Sequence, residues 1–200
     1  NIEGGIIMRK VTKSRKTNET DIKLIIDLDG SGQANIETGI PFFNHMLNAF
    51  TLYSHIDLTI ETKGDLEVDN HHLVEDIGIV LGKALQEALG DKQGINRYAD
   101  NLTPMDEALA RIAMDISNRP FLDFNGEFYR DEIGGLSLEN IREFLYAFAM
   151  ESRITLHIDI IKGRNDHHKA ETIFKGLGRA LSVAKSITDQ KVLSTKGTLS

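Results

Sequence analysis

Two adjacent histidines followed by a glutamate occur twice in this chain, as His71-His72-Leu73-Val74-Glu75 and as His167-His168-Lys169-Ala170-Glu171. The second copy begins at His167, 96 residues after the first at His71, and the match runs on. Leu81-Gly82-Lys83-Ala84-Leu85 lines up with Leu177-Gly178-Arg179-Ala180-Leu181 at the same offset. A repeated core could keep leucine, glycine and alanine for packing alone. Packing gives no reason to keep two histidines and a carboxylate. The pattern therefore reads as a duplicated half-domain, each half bringing a His-His-x-x-Glu cluster to a shared metal site.

On a helix, residues three or four apart share a face, whereas neighbours point about 100° apart. His71 and Glu75 can then converge on one ion, as can His167 and Glu171, while His72 and His168 point elsewhere. A single ion would leave half of the histidines unused; two ions would employ them all. Two repeats facing each other, or two subunits meeting, could each give a His–Glu pair to one ion and a lone histidine to the other. Imidazole and carboxylate without sulfur suit Mn²⁺, Fe²⁺, Ni²⁺ or Zn²⁺. One such pair alone would more simply be a polar helix start; the in-register duplication is what favours metal. His45 lies on the preceding helix of the first half. Matching Phe50 with Phe148 and Leu58 with Leu156 sets Glu143 opposite it, so that each half offers four ligands. Glu143 by itself would read as a solvated helix glutamate. His55 and His157 have no such partners and read as surface or strand-end histidines.

Composition narrows the classes. Two hundred residues with 40% hydrophobic content suffice for one large domain or two halves sharing a core. The halves divide at about residue 90, as 9–90 and 91–200. A formal net charge of −7 argues against nucleic acid or an anionic membrane as a partner, though a local basic pocket for a small phosphate stays compatible. The absence of cysteine removes disulfides, thiolate zinc sites and a cysteine nucleophile. With no apolar run near 18 residues and no signal-peptide pattern, the chain reads as soluble and cytoplasmic. Asn1 to Ile7, ahead of Met8, receives no structural weight.

These side chains need elements to carry them. Val11 to Arg15 and Asp21 to Asp27 read as strands, the second with Ile22, Leu24 and Ile26 in alternation. Asn35 to Thr38 is a third, followed by a helix from Phe42 to Leu52 with Phe43, Met46, Leu47 and Phe50 inward. Asp57 to Thr62 is a strand, and Asp69 or Asn70 caps a helix from His71 to Leu89. The second half follows the same order. Met105 to Ser117 and Phe121 to Asn125 read as strands, Leu138 to Met150 as a helix, Ile154 to Ile161 as a strand and His167 to Thr188 as a helix. Helix propensity would claim Glu107 to Met114, but the repeat decides for strand. Gln190 to Ser200 reads as a polar loop. The last helix of each half is rich in small residues (Gly78, Gly82, Ala84; Gly176, Gly178, Ala180, Ala184) and suited to close mutual packing.

Several segments resemble imidazoleglycerol-phosphate dehydratase of histidine biosynthesis. They are Pro41-Phe42-Phe43-Asn44-His45-Met46-Leu47, Asp69-Asn70-His71-His72-Leu73-Val74-Glu75-Asp76, Asn165-Asp166-His167-His168-Lys169-Ala170-Glu171, Pro104-Met105-Asp106-Glu107-Ala108-Leu109-Ala110-Arg111 and Ser194-Thr195-Lys196-Gly197. The resemblance runs from Arg9 to Ser200. It implies an α+β fold like a duplicated second domain of ribosomal protein S5, each half a mostly antiparallel four-stranded sheet with two helices. It implies a hydro-lyase that converts D-erythro-imidazole-glycerol phosphate to imidazole-acetol phosphate. Two Mn²⁺ ions per active site would be held by His45, His71, His72, Glu75, Glu143, His167, His168 and Glu171. Trimers would assemble into a 24-subunit shell when metal is bound, with sites at subunit contacts. Glu19 matches an acid at the reacting carbons, and Arg97, Arg119, Lys175, Ser194 and Lys196 match contacts to the phosphate and polar end. Asp106 matches an acid of the motif lying behind the ligands. His45, His71, Glu75 and His167 also border the substrate. Glu143 stands where many members have histidine, and Ala49 where some have glutamine near the phosphate.

The chemistry asked of such a site is removal of a proton from carbon with no adjacent carbonyl. The substrate's own imidazole, made an imidazolate by metal, can expel the hydroxyl on the carbon beside the ring; loss of a proton from the next carbon gives an enol and then the ketone. Glu19 is the expected proton shuttle, assisted by Glu171 or a metal-bound water. Other readings are a metal-organised assembly protein without catalysis, which leaves Arg97, Arg119 and Lys175 idle, and a metal hydrolase of phosphorylated metabolites. An RNA-binding module conflicts with the charge.

Overall fold

The computed structural model describes residues 8–199; Asn1 to Ile7 lie outside the described residues. The first half runs β1 (Lys10–Lys16), β2 (Thr20–Asp27), β3 (Ala34–Glu37), α1 (Pro41–Ser54), β4 (Asp57–Gly64) and α2 (His71–Ala88). The second runs β5 (Tyr98–Met105), β6 (Ala108–Asp115), β7 (Phe121–Asn125), the short β8 (Glu132–Ile133) and β9 (Leu136–Ser137), α3 (Glu139–Ser152), β10 (Thr155–Lys162) and α4 (Asp166–Ala184).

Each half forms a four-stranded sheet of the same topology, β1-β2-β4-β3 and β5-β6-β10-β7. Two pairings in each are antiparallel, while the last strand lies parallel, β3 on β4 and β7 on β10. The α+β duplication and the mostly antiparallel sheets agree with the sequence reading. Alternation makes β2 one-sided. Ile22, Leu24 and Ile26 are fully buried while Asp21 and Lys23 face solvent, so one sheet face needs a cover. Helices provide it, α2 on β1 and β2 and α4 on β5 and β6. Pro41 sits in the first turn of α1, where its missing N–H costs nothing. Both α1 and α3 end on a left-handed residue, His55 (φ 52°) and Arg153 (φ 57°).

The helices lie between the sheets, and the halves interleave. Contrary to expectation, the small-residue helices α2 and α4 do not pack on each other; α2 packs on α3 and α4 on α1. Each glycine-rich face admits the backbone of the other half's penultimate helix. A Cβ at Gly178 would stand 2.6 Å from the Phe50 carbonyl oxygen, and one at Gly82, its repeat counterpart, 2.8 Å from that of Phe148. Phe43, Phe50, Phe144, Phe148 and Phe174 fill the centre, with Phe43 edge-on to Phe144 at 5.3 Å.

Two further expectations need correction. Met105 to Ser117 is not one strand: Asp106 and Glu107 form the turn between β5 and β6, with Asp106 at φ 47°. Strand β5 holds Asp100, Asn101 and Pro104, all unfavourable in strands. It is tolerated because it lies at the sheet edge, where a missing N–H breaks no ladder. The last helix stops at Ala184 rather than Thr188, and the chain then returns to bridge Ile187 with Ile95.

Candidate metal centre and active site

The packing of α4 on α1 brings His45, exposed on α1, beside His167 and Glu171 on the first turns of α4. One ligand atom from each lies within 4.8 Å of the other two. The Glu171 Oε2 oxygen is 3.1 Å from His167 Nε2 and 3.6 Å from His45 Nε2. Glu171 is buried, which works to raise its carboxyl. Lys175, 2.8 Å away, with His45 and His167, outweighs that and holds it below the ordinary carboxylate range. Phe42 rests edge-on against His167 at 5.0 Å and limits the ring's freedom.

The corresponding pairing of α2 with α3 places His71 Nε2 3.8 Å from Glu75 Oε2, with Asn140 of α3 against His71 Nδ1 at 3.1 Å. Glu143, on the next turn edge of α3, pairs instead with Arg142 at 3.2 Å. Among the described residues it does not close a three-ligand group with His71 and Glu75. The two halves are thus alike in helix placement and unlike in how tightly the candidate ligands are gathered.

His72 and His168 point away from these groups, as the helical period requires. His72 Nδ1 meets Asp65 Oδ2 at 3.0 Å, and His168 Nδ1 meets Glu107 Oε2 at 2.8 Å. On the other side of each ring, Glu19 lies 3.9 Å from His72 Nε2 and Asp106 lies 3.9 Å from His168 Nε2. Donation of a hydrogen bond to Asp65, then the nearby Glu19 and Asp69 charges, raises the pKa of His72. Glu107 is held down to about 2 by His168 and by the Asn165 and Arg164 N–H groups. Asp69 and Asn165, equivalent in the repeat, accept hydrogen bonds from the His71 and His167 N–H groups at 2.8 and 2.9 Å. Asn165 is the N-cap of α4, which begins at Asp166, whereas α2 begins on His71 itself, behind Asn70.

A cavity of about 570 Å³ lies beside the C-terminal segment and is lined by Arg97, Arg119, Ser194 and Lys196. Buried Arg97 is committed: its guanidinium holds Asp115 through two bonds of 2.7 and 3.0 Å and the Leu193 carbonyl at 2.7 Å. That last bond ties the tail to the sheet. Arg119, mostly exposed, lines the cavity with one guanidinium nitrogen 3.5 Å from Asp115 Oδ2. Lys175 does not line this cavity; it stands with Glu171. The sequence reading singled out the histidines, the glutamates and the cationic residues but not Asp65, Glu107 and Asn140, which carry no repeat signal. His55 and His157 are exposed, as expected, with His157 3.4 Å from Asp123.

The donor set suits a divalent transition ion. It offers imidazole nitrogens and carboxylate oxygens, with no thiolate, and carboxylates stand behind two of the imidazoles, as they do behind metal-bound histidines. No helix among the described residues is long and apolar enough to cross a membrane.

Residues 38–181 match the family model of imidazoleglycerol-phosphate dehydratase. Proteins of that name from Bacillus licheniformis and Clostridium novyi are 55% and 56% identical, over 96% and 94% of this chain and 100% and 97% of theirs. The crystal structure of the Staphylococcus aureus enzyme superposes with a TM-score of 0.81 at 41% identity, covering 90% of this chain and 99% of that one. The Pyrococcus furiosus enzyme gives 0.80 at 39% identity, covering 93% and 99%. With its sheets, helices and histidine clusters in place, the chain belongs to the imidazoleglycerol-phosphate dehydratase family, the hydro-lyases of histidine biosynthesis.

Proposed function

We propose that this chain dehydrates D-erythro-imidazole-glycerol phosphate at a two-ion site. Its ligands are His45, His71, His72, Glu75, Glu143, His167, His168 and Glu171, and its resident ion is Mn²⁺. One observation carries the reading: helices from opposite halves deliver His45, His167 and Glu171 to a single point. When bound, ions held by these residues would supply positive charge that stabilises an electron-rich imidazole.

The rest falls to the chain's own residues. His45, His71, Glu75 and His167 border the ring. Glu19, exposed in the β1–β2 turn, moves protons at the reacting carbons, where one must leave before the enol becomes a ketone. Asp106 occupies the matching turn of the second half, and Glu171 assists from the first turns of α4. Arg119, Lys196 and Ser194 meet the phosphate in the basic cavity, Arg97 fixes the tail that completes it, and Lys175 contacts the polar end. His72 and His168 point away from their own half's cluster and suit completion of sites on neighbouring copies. Trimers joining into a 24-subunit particle on metal binding fit this arrangement. The net charge of −7 speaks against nucleic acid or an anionic membrane as a partner, and we place the enzyme in the cytoplasm as part of this proposal. Family membership leaves the hydrolase and assembly-only readings without support.

Elemental analysis of Mn²⁺-loaded protein tests the ligand set. The wild type should retain two ions per chain and Glu171→Gln one or none. Two ions retained by the variant would remove Glu171 from the site.

A further inference from the structure

We infer that Asp65 and Glu107 are positioning residues that fix the tautomer of His72 and His168. The inference rests on the metal reading proposed above. A carboxylate only accepts, so a contact of 3.0 or 2.8 Å to Nδ1 obliges the ring to carry its proton there. The Nε2 lone pair is then free, and it points away from the α-helix that bears it, toward whatever the site must bind. A neutral imidazole with its proton on Nε2 could not ligate in this orientation. The carboxylate also makes the ring a stronger donor.

The two carboxylates are not repeat copies. Asp65 follows β4, in the connection to α2, whereas Glu107 lies in the β5–β6 turn. The first-half counterpart of that turn, at Glu19, faces Nε2 of His72 rather than Nδ1. Duplication would have reproduced one position; instead, each half places a carboxylate on Nδ1 from a different element. The same local chemistry reached by two routes points to a requirement of the ligand, not to inheritance of a loop.

The two also differ in what else they hold. Glu107 uses its second oxygen to accept from the Arg164 and Asn165 N–H groups at 3.0 and 2.7 Å, tying the β5–β6 turn to the start of α4. Asp65 has no such duty. Its Oδ1 is buried and unpartnered among the described residues, so its carboxylate serves His72 alone. Asp65 is therefore the cleaner position to test.

The experiment uses the full chain, stripped of metal and then titrated with Mn²⁺ alone. Long-range proton–nitrogen spectra report the tautomer of each histidine, and chelator competition reports affinity. Wild-type His72 and His168 should show the Nδ1–H form. Asp65→Ala should release His72 to a mixture of tautomers and weaken Mn²⁺ roughly 10–100-fold. Asp65→Asn, which can still accept through its amide oxygen, should keep the tautomer and most of the affinity. Glu107→Ala should do to His168 what Asp65→Ala does to His72. Unchanged tautomers and affinity in both alanine variants, with wild type binding Mn²⁺, would overturn the positioning role. Wild type binding no Mn²⁺ would instead overturn the metal reading.

Discussion

Replacing Gly178 by alanine tests whether the interleaving of the halves sets the metal site. An added Cβ would stand 2.6 Å from the Phe50 carbonyl oxygen, 3.0 Å from Tyr53 Cβ and 3.1 Å from the Ser54 nitrogen. Two of these are backbone atoms of α1, which cannot rotate away, so the helices must separate. Overpacking of this kind costs about 1–3 kcal/mol, here toward the upper end because of the backbone contacts. Alanine's better helix propensity returns up to about 1 kcal/mol. The net loss is about 2 kcal/mol, or a Tm fall of about 4–8 °C for a chain of this size. Since α1 carries His45 and α4 carries His167 and Glu171, Mn²⁺ affinity should fall too. Thermal melts of metal-free protein at fixed concentration, followed by Mn²⁺ titration, measure both. Val183→Ala, half-exposed on the same helix, should stay within about 0.5 kcal/mol. An unchanged or raised Tm in Gly178→Ala would refute the close approach as the element that sets helix separation.

Other consequences are equally concrete. Lys169 and Asp166 form a buried pair at 2.8 Å, and Lys169→Met strands Asp166 without its cation; denaturant melts should show a loss of about 3–5 kcal/mol. Asp57 accepts the Ser31 and Gln33 N–H groups at 2.8 and 2.9 Å. Asp57→Ala should cost about 1 kcal/mol at neutral pH. Those N–H groups, Gln33's foremost, lower the folded-state pKa of Asp57 below its ordinary 3.8. Its contribution is therefore present above the unfolded value and lost as pH falls through the folded one. The Tm gap between Asp57→Ala and wild type should close below about pH 4. Arg119→Gln should raise KM for the phosphorylated substrate about 10- to 100-fold with little change in Tm, since its exposed pair with Asp115 contributes little to stability. A KM within twofold of wild type in steady-state assays would exclude Arg119 from the phosphate site.

The candidate ligands were legible because chemistry and packing make separable demands on a repeat. His71, His72 and Glu75 recur at His167, His168 and Glu171, where no core needs them, and the 3.6-residue period says which of them face together. The partner of each cluster was half legible: matching Phe50 to Phe148 found His45 and Glu143, yet the structure gathers only His45 with its cluster. Periodicity marked the faces of Gly82 and Gly178 as suited to close contact. It could not say which helix would come, because a face pattern names no partner. The turn at Asp106 and Glu107 escaped notice for lack of the glycine that usually marks a two-residue hairpin. With it went Glu107's contact to His168. Asp65 was invisible for a related reason, since its role arises from a loop that the second half does not copy.

Turnover by metal-stripped protein, titrated with Mn²⁺ while particle mass is followed, tests the two-ion site most directly. The site described above predicts no dehydration of imidazole-glycerol phosphate in the stripped state. Activity should then rise to a plateau at two ions per chain, and a large particle should form alongside it. Full turnover in the presence of excess chelator, with no metal bound, would contradict it.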